Sequence, residues 1–388
     1  MTTNPTSAPT STHDDEFDLV VIGAGPVGEN VADRAVQGGL SVAIVESELV
    51  GGECSYWACM PTKALLRPAH AVAAARRVPG AREAVTGEID VEAALAFRDG
   101  AAAHWDDSGQ VEWLVGAGVT LVRGHGRLAG ERTVVVEHDG QERTLTARHA
   151  VAVATGSVSV IPDVPGLAES HPWTNREAIA TPSVPARLAV VGGGVVASEF
   201  ATMFAALGSE VTVLVRGEGL LGDLEPFAGE LVGDALKEIG AVVRVGTTAT
   251  RVERADADSP ATLTLSDDST LVVDEVLVAT GRRPATDVLG LETIGLEPGQ
   301  TLATDDALRV LGTDGNPVDW LYAVGDVNGR ALLTHQGKYQ ARAVGDGVVV
   351  LAGAGRSTTA PGARTSPPPT TARSRRSSSP SPRWPRSG

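Results

Sequence analysis

Two stretches of this chain repeat one order: a short apolar run, a glycine turn, a helix-like run and a second apolar run. The first, FDLVVIGAGPVGENVADRAVQGGLSVAIVE, spans Phe17–Glu46. Leu19 to Ile22 is brief and β-branched, as a strand buried in a parallel sheet is. Gly23, Gly25 and Gly28 form G-x-G-x-x-G, and Glu46 stands 18 residues past Gly28. Gly23 suits the tight turn, Gly25 the approach of a pyrophosphate to the backbone, and Gly28 close helix–strand packing. Glu46 would accept hydrogen bonds from a ribose. The second stretch, RLAVVGGGVVASEFATMFAALGSEVTVLVR, spans Arg187–Arg216 and carries G-x-G-x-x-A in Gly192, Gly194 and Ala197. Its second run ends on Arg216, where an acid would favour NAD. A guanidinium can hold a 2′-phosphate, so NADP is favoured; the alternative is a solvated strand end.

Two dinucleotide units in one chain point to a flavoprotein fed by a nicotinamide. Helical patterns fill Ala64 to Arg77 and Val91 to Val115, and a β-rich piece with a turn at Asp139-Gly140 runs from Val119 to Ala154. Two apolar runs end in Ala-Thr-Gly, at Thr155-Gly156 and at Thr280-Gly281, each followed by a proline-containing crossover. The second nucleotide unit lies between them and reads as inserted into the first. A further strand ends in Gly325-Asp326, and a helix-like run containing THQGKYQ follows.

Composition narrows the function. The net charge of −16 argues against a nucleic-acid partner. No uncharged apolar stretch reaches the length of a membrane span. Met1 to His13 lacks the basic and apolar regions of an export signal, so the cytoplasm is expected. There, the only two cysteines, Cys54 and Cys59, are better read as catalytic or metal-binding than as a staple. They stand in GGECSYWACMPTKALLRP, Gly51 to Pro68.

Taken together, these residues resemble the class I pyridine nucleotide–disulfide oxidoreductases, the family of dihydrolipoamide dehydrogenase and the glutathione, mycothione and mercuric reductases. The resemblance runs from about Phe17 to Val350, and Gly-Gly-x-Cys-x4-Cys-x-Pro-x-Lys is its most specific element. It implies an α/β fold of two Rossmann-like, three-layer ββα nucleotide-binding domains. Residues 17–170 and 282–350 would form a discontinuous FAD domain, with an NAD(P) domain at 171–281 inserted in it. Residues 1–16 would be a disordered tail. FAD would lie on Gly23, Gly25, Gly28 and Glu46, with Thr155, Gly156, Gly281 and Gly325 at the nucleotide-facing turns. Asp326 would lie near the ribityl and phosphate groups. NAD(P)H would lie on Gly192, Gly194 and Ala197, with Arg216 at its ribose. Cys59 would be the charge-transfer sulfur beside the flavin and Cys54 the interchange sulfur. Lys63 matches a flavin-facing lysine paired with a glutamate that matches Glu199. The implied activity carries hydride from NAD(P)H to FAD, then electrons to the Cys54–Cys59 disulfide and on to a disulfide or related substrate.

Five residues along an ideal helix separate Cα atoms by roughly 8–9 Å, whereas a disulfide wants about 4.4–6.8 Å. The Cys54 end is therefore expected to leave helical geometry while Cys59 starts or joins a helix, whose N-terminus lowers a thiol pKa. Lys63 lies one turn beyond Cys59. Two unlinked buried cysteines would give Gly51-Gly52 and Lys63 no role. A metal site is disfavoured, with only two soft ligands and His70 badly placed. Between and after the cysteines stand Ser55, Tyr56, Trp57, Ala58 and Met60, a departure from the family pattern. Tyr56 and Trp57 would restrict the substrate side. The acceptor stays open among lipoamide, low-molecular-weight disulfides and Hg(II); Arg216 weighs mildly against lipoamide.

Family members continue into an interface domain that makes a homodimer and supplies an acid/base His to the partner. Nothing here matches it. Residues 356–388 hold seven of the 32 basic side chains, all Arg, and no acid, which leaves residues 1–355 with 25 basic and 48 acidic groups, a net of −23. Seven Pro stand from Pro361 onward, so residues 351–388 are expected to be a disordered or frameshifted tail in place of the dimerisation domain. One GC-rich back-translation of Ser374 to Gly388, read in another frame, resembles the start of that domain. His335 is expected to be a flavin-side or structural residue, not the acid/base. Impaired disulfide turnover and exposed apolar surface would follow. Two other readings stand beside a truncated disulfide reductase: a flavin NAD(P)H dehydrogenase passing electrons to quinones or oxygen, and an inactive nucleotide-binding remnant.

Overall fold

A computed structural model of the chain describes residues 15–353. The expected tails therefore fall largely outside the described residues. The first strand opens at Glu16, because Thr146 donates its amide to Asp15 and Arg143 pairs with the Asp15 carboxylate. The last helix runs to Leu351, because Val348 is buried in the core.

The first strand, β1 (Glu16–Ile22), leads through a glycine turn into α1 (Pro26–Gln37) and β2 (Val42–Glu46). Then come α2 (Gly52–Tyr56), α3 (Cys59–Arg76), α4 (Val91–Ala101) and α5 (Ser108–Gly116). The helical pattern over 91–115 is thus two helices. Ala103, His104 and Trp105, all with φ between +47° and +56°, make a left-handed turn between them. The strands β3 (Thr120–Arg123), β4 (His125–Leu128), β5 (Thr133–His138) and β6 (Gln141–Val153) follow, and β5 and β6 meet at Asp139-Gly140. Both turn residues have positive φ, as a two-residue hairpin of this kind requires.

After β7 (Ser157–Ser159) and α6 (Asn175–Ala180), the order repeats as β8 (Arg187–Val191), α7 (Val195–Ala206) and β9 (Glu210–Val215). Next are α8 (Pro226–Glu238), β10 (Val242–Val245), β11 (Ala249–Glu253), β12 (Ala261–Leu265), β13 (Thr270–Val273) and β14 (Glu275–Val278). The chain returns through β15 (Arg282–Pro284), β16 (Arg309–Leu311) and β17 (Pro317–Ala323) to α9 (Thr334–Leu351).

One sheet has the order β16-β17-β6-β1-β2-β3, with β4 and β5 attached through β6; the other has the order β10-β9-β8-β14. Strands β1, β2, β3 and the second half of β6 run parallel, as do β8, β9, β10 and β14. The pleat explains the layers. Leu19 and Val21 of β1 pack with α1 and α9, and Val20 and Ile22 pack with β4 and β5 on the other face. In the second unit Leu188 and Val190 meet Phe200 and Phe204 of α7, while Ala189 and Val191 meet β11, β12 and β13. Each unit is therefore helix on sheet on sheet, the three-layer ββα arrangement expected. The strands at 309–323 complete the first sheet, so the second sheet lies between two passages of the first. Those passages touch, since β7 and β15 pair antiparallel. Among the described residues no helix is long and apolar enough to cross a membrane.

Candidate active site

The two cysteines form a disulfide, with Cα atoms 4.5 Å apart. The chain achieves this closeness differently from the expectation. Cys54 is itself helical, inside α2, and the break falls at Trp57 and at Ala58, whose φ and ψ are −137° and −101°. Gly51 and Gly52, both at positive φ, turn the chain into α2; a side chain on Gly52 would come within 2.8 Å of the Gly25 Cα. Cys59 is the first residue of α3, as expected. A second helix also begins here: Thr334, first residue of α9, donates its hydroxyl to Cys59 Sγ at 3.6 Å. Two 18-residue helices thus direct their N-termini at one sulfur. Both favour negative charge on Cys59 once the bond is reduced. Cys54, the middle residue of the five-residue α2, is not a helix's first residue. Lys63, one turn into α3, pairs with Glu199 of α7. His335 is exposed next to Thr334.

The glycines of the first turn differ in what surrounds them. Gly23 has φ of +101°, and a Cβ there would meet the Ala154 carbonyl oxygen at 2.5 Å; a Cβ on Gly28 would meet the Gly23 oxygen at 1.9 Å. A Cβ on Gly25 would meet nothing within 4 Å. That open space at the head of α1 is what a pyrophosphate needs, so the residues fit a dinucleotide. Glu46 accepts from the amides of Ala24 (2.7 Å) and Glu48 (2.9 Å), and burial pushes its carboxyl up against those bonds. In the second turn a Cβ on Gly192 would meet the Ala279 oxygen at 2.2 Å, Gly194 is open, and Ala197 is fully buried. Arg216 is exposed at the end of β9, with no carboxylate at ion-pair distance among the described residues.

The Ala-Thr-Gly ends help join the two passages of the first unit. Thr155 donates its hydroxyl to the Ala285 carbonyl at 2.8 Å, Gly156 accepts from the Ala285 amide at 3.0 Å, and Gly281 accepts from the Val160 amide at 3.0 Å. Gly325, at φ of +82°, donates its amide to Gln340 of α9. The neighbouring Asp326 carboxylate accepts from Ser157 at 2.7 Å.

A polar cluster not visible in the sequence braces this centre. Glu53 accepts from Arg176 at 2.5 Å and from Asn175 at 2.9 Å, and Arg282 stands 3.6 Å away. Asn175 also donates to the Trp57 carbonyl at 2.9 Å, so the start of α6 grips the chain on both sides of Cys54. The Arg176 guanidinium lies 4.2 Å from the Trp57 ring centroid. Tyr56 is buried and donates its hydroxyl to the Val50 carbonyl. The acid immediately before Cys54 was the one available signal for this cluster; its partners lie more than a hundred residues on. Thr334 was announced only by the helix-like run it heads. Glu29, on α1, is 8% exposed with one carboxylate oxygen unpartnered, and burial pushes its carboxyl up to about 7. Among the described residues no group of three or more His, Cys, Asp or Glu converges as a metal site.

Residues 17–344 match the family model described as pyridine nucleotide-disulphide oxidoreductase. The chain is 34% identical over 355 residues to a dihydrolipoyl dehydrogenase of Synechocystis sp., covering 87% of this chain and 72% of that protein. It is 30% identical over 343 residues to a mercuric reductase of Staphylococcus aureus, covering 87% of this chain and 61% of that protein. The fold is similar to the flavoprotein disulfide reductase RclA of Escherichia coli, solved as a Cu(II) complex. The TM-score is 0.74 at 22% identity, over 85% of this chain and 70% of that one.

Proposed function

The chain belongs to the pyridine nucleotide-disulphide oxidoreductases, enzymes that bind FAD and a pyridine nucleotide, and we propose that it reduces a small-molecule disulfide with electrons from NADPH through the Cys54–Cys59 pair. The observation that carries this reading is Cys59 Sγ held at the N-termini of both α3 and α9. FAD, when bound, supplies the two-electron relay between the nicotinamide and the disulfide.

The chain's own residues do the rest. Gly23, Gly25 and Gly28 accommodate the pyrophosphate, Glu46 the ribose, and Gly325-Asp326 the ribityl end. Gly192, Gly194 and Ala197 accommodate the nicotinamide dinucleotide. Arg216, exposed and without a carboxylate partner among the described residues, supports NADPH over NADH. The Lys63–Glu199 pair places a cation one turn beyond Cys59. Two electrons break the Cys54–Cys59 bond. Cys59 keeps its negative charge at the two helix ends, and Cys54 takes one proton. Deprotonated again, Cys54 attacks one sulfur of the substrate disulfide and displaces the first thiolate. Cys59 then attacks Cys54 in the mixed disulfide, releases the second thiolate and restores the internal bond. A cytoplasmic setting, in which thiols are kept reduced, suits such a cycle.

The test is a thiol count. Anaerobic addition of NADPH to the FAD-loaded protein, followed by alkylation and peptide mass analysis, should label Cys54 and Cys59 together. NADPH consumed with both cysteines still linked would overturn the proposal and leave a flavin dehydrogenase acting on quinones or oxygen. NADH labelling the pair as efficiently as NADPH would remove the role given to Arg216.

A further inference from the structure

Glu29 is buried close to the first glycine turn and takes no part in the redox centre. It stands in the first turn of α1, with its amide bonded at 3.0 Å to the Gly25 carbonyl. Residues four apart share one face of a helix, and a helical side chain leans back over the turn before it. The Glu29 carboxyl is therefore directed along the face of Gly25, where a Cβ would meet nothing within 4 Å. The side chain is only 8% exposed, and its Oε1 is buried with no hydrogen-bond partner. Leaving such an atom unpaired is costly, so it points to a ligand that completes it. We propose, resting on the placement of FAD at the first glycine turn, that Glu29 is a further FAD-holding residue. As a neutral carboxylic acid it donates a hydrogen bond to a pyrophosphate oxygen, and flavin retention is coupled to that proton.

The surroundings keep the proton on Glu29. Burial is the largest influence and pushes the carboxyl up to about 7; Lys338 of α9 opposes it, and Glu46 at the end of β2 adds to it. Lys338 is half-buried and acts through space. From α2 comes Tyr56, whose phenol is pushed up to about 12, by burial first, and stays neutral. The sheet brings Leu19 and Val21 of β1 and Ala150 and Ala152 of β6 to this helix, all apolar. Further along α1, Asp33 accepts from Gln37, and Arg34 pairs with Asp346. A pyrophosphate is an anion that only accepts hydrogen bonds. An ionised Glu29 beside it would repel it, whereas a protonated Glu29 supplies a donor that adds to the amides at the head of α1. The contact forms only with the proton in place.

The experiment reads flavin affinity against pH. The FAD-loaded protein is equilibrated between pH 6 and 8.5 at constant ionic strength, free FAD is separated by ultrafiltration, and the Kd for FAD is taken at each pH. The parent Kd should rise by about thirtyfold across that range, as for a group that titrates near 7 and binds only when protonated. Glu29→Gln keeps a donor and cannot ionise, so it should hold FAD at every pH as the parent does at pH 6. Glu29→Leu has neither donor nor charge and should give a flat profile about tenfold weaker. A flat parent profile, or a Glu29→Gln profile with the parent's slope, would overturn the proposal. So would Glu29→Leu binding as tightly as Glu29→Gln, which leaves repulsion without donation. Gly25→Ala tests the placement beneath it: FAD held by that variant as tightly as by the parent would remove the flavin from this turn and overturn both. None of these measurements needs turnover, so a protein whose disulfide resists NADPH still reports on Glu29.

Discussion

Gly28 and Gly25 stand three residues apart in one motif, and the structure assigns their substitutions opposite outcomes. A Cβ on Gly28 would sit 1.9 Å from the Gly23 carbonyl oxygen and 3.3 Å from Val21 Cγ1. An ordinary carbon–oxygen contact is about 3.3 Å, so α1 would have to retreat from the sheet by about 1.4 Å. The retreat is opposed from behind. Val27 fills the space beside Gly337, and Arg34 that beside Gly345, so α1 is wedged against α9. Overpacking typically costs about 1–3 kcal/mol, and with backbone on the opposing side Gly28→Ala belongs at the top of that range. In a chain of this size that lowers the melting temperature by about 4 °C. Gly25 has φ of −70° and a Cβ there would meet nothing within 4 Å, so Gly25→Ala should change stability by less than about 0.5 kcal/mol. Its methyl instead occupies the space assigned to the pyrophosphate. Thermal melts belong on flavin-free protein, where ligand binding cannot mask the difference, and flavin content is read separately by absorbance after loading. The expected pattern is a low melt for Gly28→Ala, and a normal melt with much reduced flavin for Gly25→Ala. A Gly28→Ala melt within 2 °C of the parent, or equal destabilisation by both substitutions, would refute the reasoning.

Arg98 is 2% exposed, donates to the carbonyls of Ile179 (2.5 Å) and Thr181 (2.8 Å), and pairs with Asp99 at 2.7 Å. Arg98→Ala strands those acceptors in a dry site and should cost about 3–5 kcal/mol by urea denaturation; a loss below 1 kcal/mol would show that the clamp is idle. Glu29 has a carboxyl raised by burial to about 7, above its unfolded value, so the folded chain holds a proton that the unfolded chain has lost. Stability should therefore decline as pH rises from about 4.5 to 7, and Glu29→Gln should be more stable than the parent at pH 8 by up to about 3 kcal/mol, with no advantage at pH 4. Parallel stability–pH curves for the two proteins would contradict this.

Local chemistry made much of the fold legible. The short β-branched runs with glycine turns appear as β1–α1–β2 and β8–α7–β9, because strand, turn and helix signals all lie within thirty residues. Cys59 at a helix start was legible for the same reason. The placement of the break was not. Five intervening residues leave several ways to bring two cysteines together, and the choice of Trp57-Ala58 depends on Asn175 gripping the Trp57 carbonyl from 118 residues away. The left-handed turn at Ala103 to Trp105 is also hidden, since Ala and Trp do not favour positive φ and His104 alone is a weak signal. It is held by its neighbours, among them Arg98 lying 5.6 Å from the Trp105 ring centroid. The encounter of Cys59 with Thr334 spans 275 residues and exists only because α9 packs alongside α1 in the same helix layer.

The disulfide closes a loop only five residues long in sequence separation. A cross-link that short removes little freedom from an unfolded chain, about 2 kcal/mol by loop-closure reasoning, against nearly 5 for a bridge spanning a hundred residues. The strands, the two glycine turns and the α1–α9 contact are secured independently of it. Opening and closing this bond therefore resembles the movement of an electrical contact, not the drawing of a rivet: the linkage can cycle indefinitely while the frame that carries it keeps its shape.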